Sequence, residues 1–313
     1  MTKSVLVSGA SGFIGSHVAA RLAEEGYRVR AMTRHPREYH GAGEPIEADV
    51  SDAGSLAAAF AGVDVAYYLI HSLGSDDFEQ RDADAARNFA AAAATAHVER
   101  IIYLGGLGAN DGKLSAHLRS RREVEKILRS GPVPVTVLRA AVVIGHGGIS
   151  WEMTRQLAQR LPAMVTPRWV RTRTQPIALP DAVRYLTGVL EPVEARGRTY
   201  EIGGPEVLRY IDMLQRVAKI RGSRLPNLTV PLLTPRLSSA WLRFVTDVDS
   251  ATARNLVDSM TNEVVVKDDS IRRIVPFEPM SYDDAVLTAL KERAEARRAA
   301  RQEKTPAGLG RVR

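Results

Sequence analysis

Along the first half of the chain, short runs of apolar and β-branched residues alternate with longer stretches whose apolar positions recur at helical spacing. The runs at 4–8, 28–32, 45–48, 64–70, 100–104 and 134–139 predict six strands, and the stretches near 14–25, 55–60, 77–97 and 114–129 predict the helices between them. Strands apolar at nearly every position belong in a parallel sheet covered on both faces, since a half-exposed sheet would alternate. The expected fold class is therefore α/β, with a Rossmann-type doubly wound parallel sheet over residues 1–150. Beyond Gly145 the rhythm breaks, and nine prolines fall between Pro162 and Pro235. Residues 151–290 read as a smaller C-terminal substrate lobe that contributes elements to the core, not as an independent domain. Residues 291–313, rich in Arg, Ala and Glu, read as a frayed helix followed by a disordered basic tail.

Composition narrows the class. With 45% hydrophobic and 25% charged residues among 313, the chain has the balance of a globular protein. It has no cysteine, which removes disulfides, thiolate nucleophiles and cysteine-based zinc sites. The seven histidines are scattered without a helical metal-ligating pair, so no metal is expected. The net charge of +7 invites a nucleic-acid reading, but eight basic against three acidic residues from Lys291 onward place five of those charges in the tail. A nearly neutral body is poor support for a phosphate-backbone binder, and no nucleic-acid partner is expected. The strand pattern starts at Lys3 without a leader-like segment, and no apolar run approaches the ~18 residues of a membrane span. The expectation is a soluble, cytoplasmic protein with a small-molecule partner and its oligomeric state open.

The sharpest local signal is Gly9-Ala10-Ser11-Gly12-Phe13-Ile14-Gly15, between the first strand and a helix with Ile14, Val18 and Leu22 on one face. In that setting the first glycine permits the tight turn, the second lets backbone approach a pyrophosphate, and the third allows close helix–strand packing. Ser11 offers a further hydroxyl. Near the end of the second strand, where an NAD site presents an acid to the ribose, the chain reads Arg28-Val29-Arg30-Ala31-Met32-Thr33-Arg34-His35 with no acid. A guanidinium at Arg34 suits a 2′-phosphate, so NADP(H) is expected ahead of NAD(H). Asp49-Val50, closing the third strand, reads either as an adenine contact or, for Asp49, as the N-cap of the next helix.

These residues resemble the short-chain dehydrogenase/reductase superfamily in its atypical and extended branches, in particular its NmrA-like and epimerase-like NAD(P)-binding members. The resemblance runs over residues 3–290 and extends to Ile101-Ile102-Tyr103-Leu104, Leu138 to Gly145, Gln175-Pro176-Ile177-Ala178 and Tyr200 to Pro205. It implies that Leu69, Ile70, His71, Leu104, Gly105 and Ala140 stand beside the cofactor at the carboxyl ends of the middle strands. His71 also reads simply as a loop histidine, Tyr103 as core, and Asp181 as a helix-start residue. Trp151, Trp169 and Trp241 read as packing residues of the lobe or as the lining of an apolar pocket.

Active members of the superfamily carry a Ser after the fifth strand and Tyr-x-x-x-Lys on the next helix. Alignment on Glu125 puts His117 at the Tyr position, Arg121 at the Lys position and Gly105-Gly106 where the Ser belongs. A histidine titrates near neutrality, so His117 is a candidate general acid/base, with Arg121 holding the ribose. Loss of a hydroxyl donor at the oxyanion costs on the order of 10²–10³ in rate. Two functions follow: an NADPH-dependent oxidoreductase acting on a small carbonyl, enone or quinone, or an inactive NADP(H)-binding redox sensor. A sugar-nucleotide epimerase, which relies on the same missing Tyr and Lys, is less favoured.

Overall fold

The computed structural model describes residues 2–72, 74–75, 77–108, 114–160, 164–166, 168–225, 227–229 and 249–303. Six strands lie where the apolar runs put them: β1 (Ser4–Ser8), β2 (Arg28–Thr33), β3 (Glu44–Glu47), β4 (Val65–Tyr68), β5 (Arg100–Gly106) and β6 (Val135–Ala140). A seventh, β7 (Thr199–Ile202), comes from the second half of the chain and pairs with β6 through Tyr200 and Leu138. The sheet is parallel throughout, in the order β7-β6-β5-β4-β1-β2-β3. The chain winds outward from β1 to β3 and then crosses back to β4, so the carboxyl ends of β1 and β4 border a crevice at the switch point.

Helices α1 (Phe13–Glu24), α2 (Ala53–Phe60), α3 (Phe78–Thr95) and α4 (Ala116–Ser130) connect the strands. On one face, α3 presents Ala85, Ala86, Phe89 and Ala93 to the sheet, and the small residues let the helix approach until Phe89 packs edge-on against both Phe60 and Tyr68 at 4.9 Å. On the other face, Val18, Ala19 and Leu22 of α1 share a core with Ala182, Val183 and Leu186 of α6 (Leu179–Gly188).

The strand expected at 64–70 stops at Tyr68. Ser8 Oγ donates to Tyr67 O at 2.8 Å and lies 3.2 Å from the Leu69 amide, so a side chain takes over from the ladder there. Leu69 and Ile70 leave the sheet.

The lobe packs α5 (Ile149–Arg160), α7 (Tyr210–Ile220), α8 (Ser250–Ser259) and α9 (Tyr282–Glu303) around Trp151, Met213, Val257 and Val286. Trp151 is fully buried and belongs to this packing, while Trp241 and the Trp169 side chain lie outside the described residues. The basic segment expected to fray from 291 is helical through Glu303, because α9 is docked: Arg293 donates to Glu152 at 2.6 Å, and Arg155 holds the same carboxylate at 2.9 Å. Residues 304–313 of the expected tail lie outside the described set. Among the described residues no helix is long and apolar enough to cross a membrane.

Phe89 is fully buried and bridges two rings, so Phe89→Ala is expected to cost about 3–5 kcal/mol. Urea unfolding followed by circular dichroism checks this, and a midpoint within error of wild type would show that the α3 interface carries little of the stability.

Candidate functional site

The loop between β1 and α1 is shaped by two glycines with different roles. Gly9 has a left-handed φ of +68°, which side chains rarely adopt, and a Cβ there would stand 3.0 Å from Leu69 O. A Cβ at Gly15 would lie 2.1 Å from Gly9 O, so α1 sits on the loop only because that position is bare. Gly12 caps α1 with no side-chain bond and no acid follows in the first turn. The first amides of the helix have no intrahelical partners, and nothing at the cap competes for them. Such a terminus binds an anionic phosphate through its N–H groups and dipole.

That terminus opens onto a cavity of about 950 Å³. Every site residue expected from the sequence lines it. Gly9, Ser11, Gly12, Phe13, Ile14 and Gly15 form one end, and Arg34, Asp49 and Val50 flank it from β2 and β3. Leu69, Ile70 and His71 enter after β4, Leu104 and Gly105 at the end of β5, and Ala140 at the end of β6. His117 and Arg121 reach in from α4. The cradle thus fits a dinucleotide laid across the switch point: a bare helix terminus for the pyrophosphate, an exposed arginine at one end and small residues in the middle.

Asp49 is not the cap of α2; Asp52 is, accepting from the Gly54 amide at 2.9 Å. Burial opposes the charge of Asp49, but the Ser51 amide and hydroxyl, both 2.8 Å from Oδ1, and the charge of Arg34 outweigh it, leaving the carboxyl below its usual range. An ionised Asp49 therefore stands beside Arg34. Tyr103 is core, its hydroxyl donating to Arg121 O at 3.1 Å, and Asp181 lies in the first turn of α6, where it accepts from the Met280 amide at 2.7 Å.

At the glycines that stand in place of the superfamily serine, helix α4 packs close: a Cβ at Gly106 would come within 2.9 Å of Leu118 Cδ2 and 3.5 Å of Arg121 Cγ, so a side chain there requires the end of Leu118 to shift.

His117 meets a residue with no local signal in the sequence. Its Nδ1 is 3.0 Å from Ser259 Oγ, which belongs to α8 and donates its own proton to Asn255 O at 2.7 Å. Ser259 is thus left as the acceptor, and the imidazole proton is assigned to Nδ1. Nε2 then holds the lone pair that receives a long bond, 3.4 Å, from Arg121 Nε. Burial first and the Arg121 charge second push the His117 pKa down to about 3. His71 is exposed to the cavity yet encased by protein at longer range, and Arg121 first, then burial and His117, hold its pKa well below the usual histidine value. Both imidazoles are neutral at pH 7. His117 is accordingly a poor proton donor, although the sequence places it where a donor belongs.

Asp82 on α3 was also missed. It is buried, accepts from the Ser72 amide at 2.8 Å and from Ser120 Oγ at 3.0 Å, and so fixes the His71 loop against α4. Its signal was present: an acid four residues after Phe78 and four before Ala86, on the apolar stripe of the helix.

Residues 9–168 match the NAD(P)H-binding family, a little over half of the chain. The chain belongs to that family. This NAD(P)H-binding protein is 29% identical over 167 residues to the ceramide reductase of Caulobacter vibrioides, covering 51% of this chain and 52% of the relative. Over 136 residues it is 34% identical to cinnamoyl-CoA reductase 1 of Oryza sativa subsp. japonica, covering 40% and 38% respectively. The matches span about half the length, or less, of these curated relatives. Its fold is similar to that of an NADPH-dependent quinone oxidoreductase from Escherichia coli solved with NADPH, with a TM-score of 0.74 at 19% identity over 90% of this chain and 98% of the other. A nucleoside-diphosphate-sugar epimerase from Staphylococcus aureus gives 0.73 at 14% identity over 91% and 99%. At such identities the likeness shows the fold, a Rossmann-type sheet shared by NAD(P)-binding reductases and epimerases. This agrees with the atypical short-chain dehydrogenase/reductase resemblance.

The depressed His117 pKa has a consequence for stability. The unfolded imidazole binds a proton near pH 6.5 and the folded one only near pH 3, so the unfolded state holds more protons between those values. The His117 contribution is complete above pH 6.5 and is lost as pH falls toward 3. Urea unfolding at pH 7 and pH 5 is expected to show a smaller acid-induced loss in His117→Asn than in wild type; equal losses would place the His117 pKa near its ordinary value.

Proposed function

We propose that this protein is an NADPH-dependent reductase of a small, largely apolar substrate, with a quinone favoured over a simple ketone. The observation that carries the reading is the continuity of the cavity. From the glycine loop it runs past Leu104 and Gly105 to a wall of Leu107, Val142, Leu256, Met260 and Val264, so an apolar molecule fits beside the reactive end of the dinucleotide. The reductases among the relatives support the broad class.

Arg34 supports NADP(H) over NAD(H), because it is an exposed guanidinium at the cavity edge where a 2′-phosphate would lie. When bound, NADPH supplies two electrons and a hydrogen. The protein's own task is to orient the substrate, exclude water and manage the remaining proton.

The preference for a quinone follows from that proton. Reducing a ketone leaves an alkoxide about as basic as hydroxide, and this demands a side-chain donor in the transition state. Reducing a quinone leaves a phenolate, comparable to tyrosine at about 10, which water protonates readily. The overall balance is quinone, NADPH and one proton giving hydroquinone and NADP⁺. A site with a neutral His117 and glycines in place of the superfamily serine is matched to the second case.

The redox-sensor reading is favoured by the same missing donor. The two separate by turnover: purified protein is expected to oxidise NADPH with quinones and to be much slower with ketones of similar size. No turnover across both panels, with NADPH bound, would leave the sensor. Arg34→Ala is expected to weaken NADPH by about 10–100-fold, the worth of one charged hydrogen-bond pair, while leaving NADH unchanged. Fluorescence titration with both cofactors checks this, and an equal loss for both would remove Arg34 as the 2′-phosphate contact.

A further inference from the structure

Most partly buried arginines of this protein have a carboxylate. Arg139 makes a two-pronged pair with Glu125 at 2.6 and 2.9 Å, Arg155 and Arg293 share Glu152, and Arg216 joins Glu206 and Asp283. Arg121 differs. It is half-buried and lines the cavity, yet among the described residues no carboxylate lies within the 4.0 Å of an ion pair, and its one side-chain hydrogen bond is the long contact from Nε to His117. Tyr103, a buried phenol raised to about 12 chiefly by burial, and the neutral His71 and His117 add no negative charge, and the carboxylates of the neighbourhood are engaged elsewhere, Asp82 with Ser72 and Ser120 and Glu125 with Arg139 and Arg122.

A cation withdrawn from water is costly unless it is bonded; Arg100 meets that cost with the Val189 and Pro192 carbonyls, whereas the terminal nitrogens of Arg121 have no such partner among the described residues and are open to an anion that enters the cavity. The cofactor pyrophosphate does not supply it in the proposed pose. The glycine loop follows β1, whereas Arg121 rises beside Gly106 of β5, two strands away and therefore about 10 Å along the sheet. Ribose hydroxyls at that distance are neutral. The remaining space is the substrate end, where the wall is apolar apart from Ser150, Ser259 and Tyr210.

We propose that Arg121 is a substrate-anion site, so that this protein selects molecules with an apolar body and one acidic oxygen, a carboxylate or an ionised hydroxyl, close to the group being reduced. The His117–Ser259 pair positions it: with the Nδ1 proton given to Ser259, the Nε2 lone pair receives Arg121 Nε and leaves both terminal nitrogens for the ligand. Because Ser259 sits on α8, the lobe that forms the apolar wall also sets the orientation of the cation. This rests on the reductase reading for the pose of the cofactor and deepens it by naming the substrate class.

The test uses the full chain saturated with NADP⁺ and two probes of nearly equal shape, 2-hydroxy-1,4-naphthoquinone, which is ionised at neutral pH, and its neutral 2-methoxy analogue. Calorimetry is expected to show the ionised probe binding at least about 10-fold tighter, as a charged hydrogen-bonded pair allows. The preference should disappear in Arg121→Gln and survive in part in Arg121→Lys. Equal affinities for wild type, which needs no variant to fold, would overturn the proposal, as would a preference unchanged in Arg121→Gln. The ionised probe should also raise the pKa of His71 and His117 by cancelling the Arg121 field, and imidazole resonances that do not move would count equally against it. Reduction of neutral quinones without any anion preference would remove this inference and leave the reductase standing. Anion preference without turnover of any quinone would do the reverse.

Discussion

The rest of the site depends on one close approach. Helix α1 rests on the end of β1 with position 15 so near Gly9 O that even a methyl group has no room. That contact aims the free amides of the helix at the switch point. The left-handed turn at Gly9 brings the loop against Leu69 O, just where β4 gives up its last ladder bond to Ser8. From there the chain carries Leu69, Ile70 and His71 away from the sheet to form the cavity wall. A side chain at position 15 would displace the anion site and the opposite wall together.

The two ends of the cavity are electrostatically unlike. At the loop, partial charges of backbone amides face a cofactor whose own phosphates supply the negative charge. At β5, a full cation stands beside two imidazoles that its own field helps keep neutral. The other partly buried arginines hold a carboxylate or, as Arg30 and Arg100 do, backbone carbonyls, so Arg121, with neither among the described residues, is a local departure that an entering anion would relieve. The same field makes His117 a weak acid catalyst and an effective orienting group. That is why the proposed chemistry leans on a substrate whose reduced form is protonated by water.

Much of the architecture could be read along the chain. Apolar runs buried on both faces give the same signal wherever they stand in a parallel sheet, and five of the seven strands followed from it, while the sixth, the exposed edge strand β3, followed from the rhythm of its neighbours. The seventh, Thr199–Ile202, escaped notice because its alternation sits among prolines, and its place beside β6 is decided by a pairing more than sixty residues long in sequence separation. Docking of α9 by Arg293 and Glu152 was likewise hidden in what looked like a solvated charge run. Asp82 was legible as an acid on an apolar stripe, although its role required Ser72 and Ser120 to be brought to it.

The amino-acid order by itself determined the phosphate loop, the doubly wound sheet and the set of residues that meet at its carboxyl edge, because these rest on turn geometry and periodicity over a few residues. Only the tertiary structure decided what those residues are able to do. Ser259 assigns the His117 proton from 142 positions away, Leu118 packs against Gly106, and Arg121 has no carboxylate at ion-pair distance among the described residues. The tautomer is set by a 3.0 Å contact between His117 and a serine of a different element, and no local pattern in the chain encodes that distance.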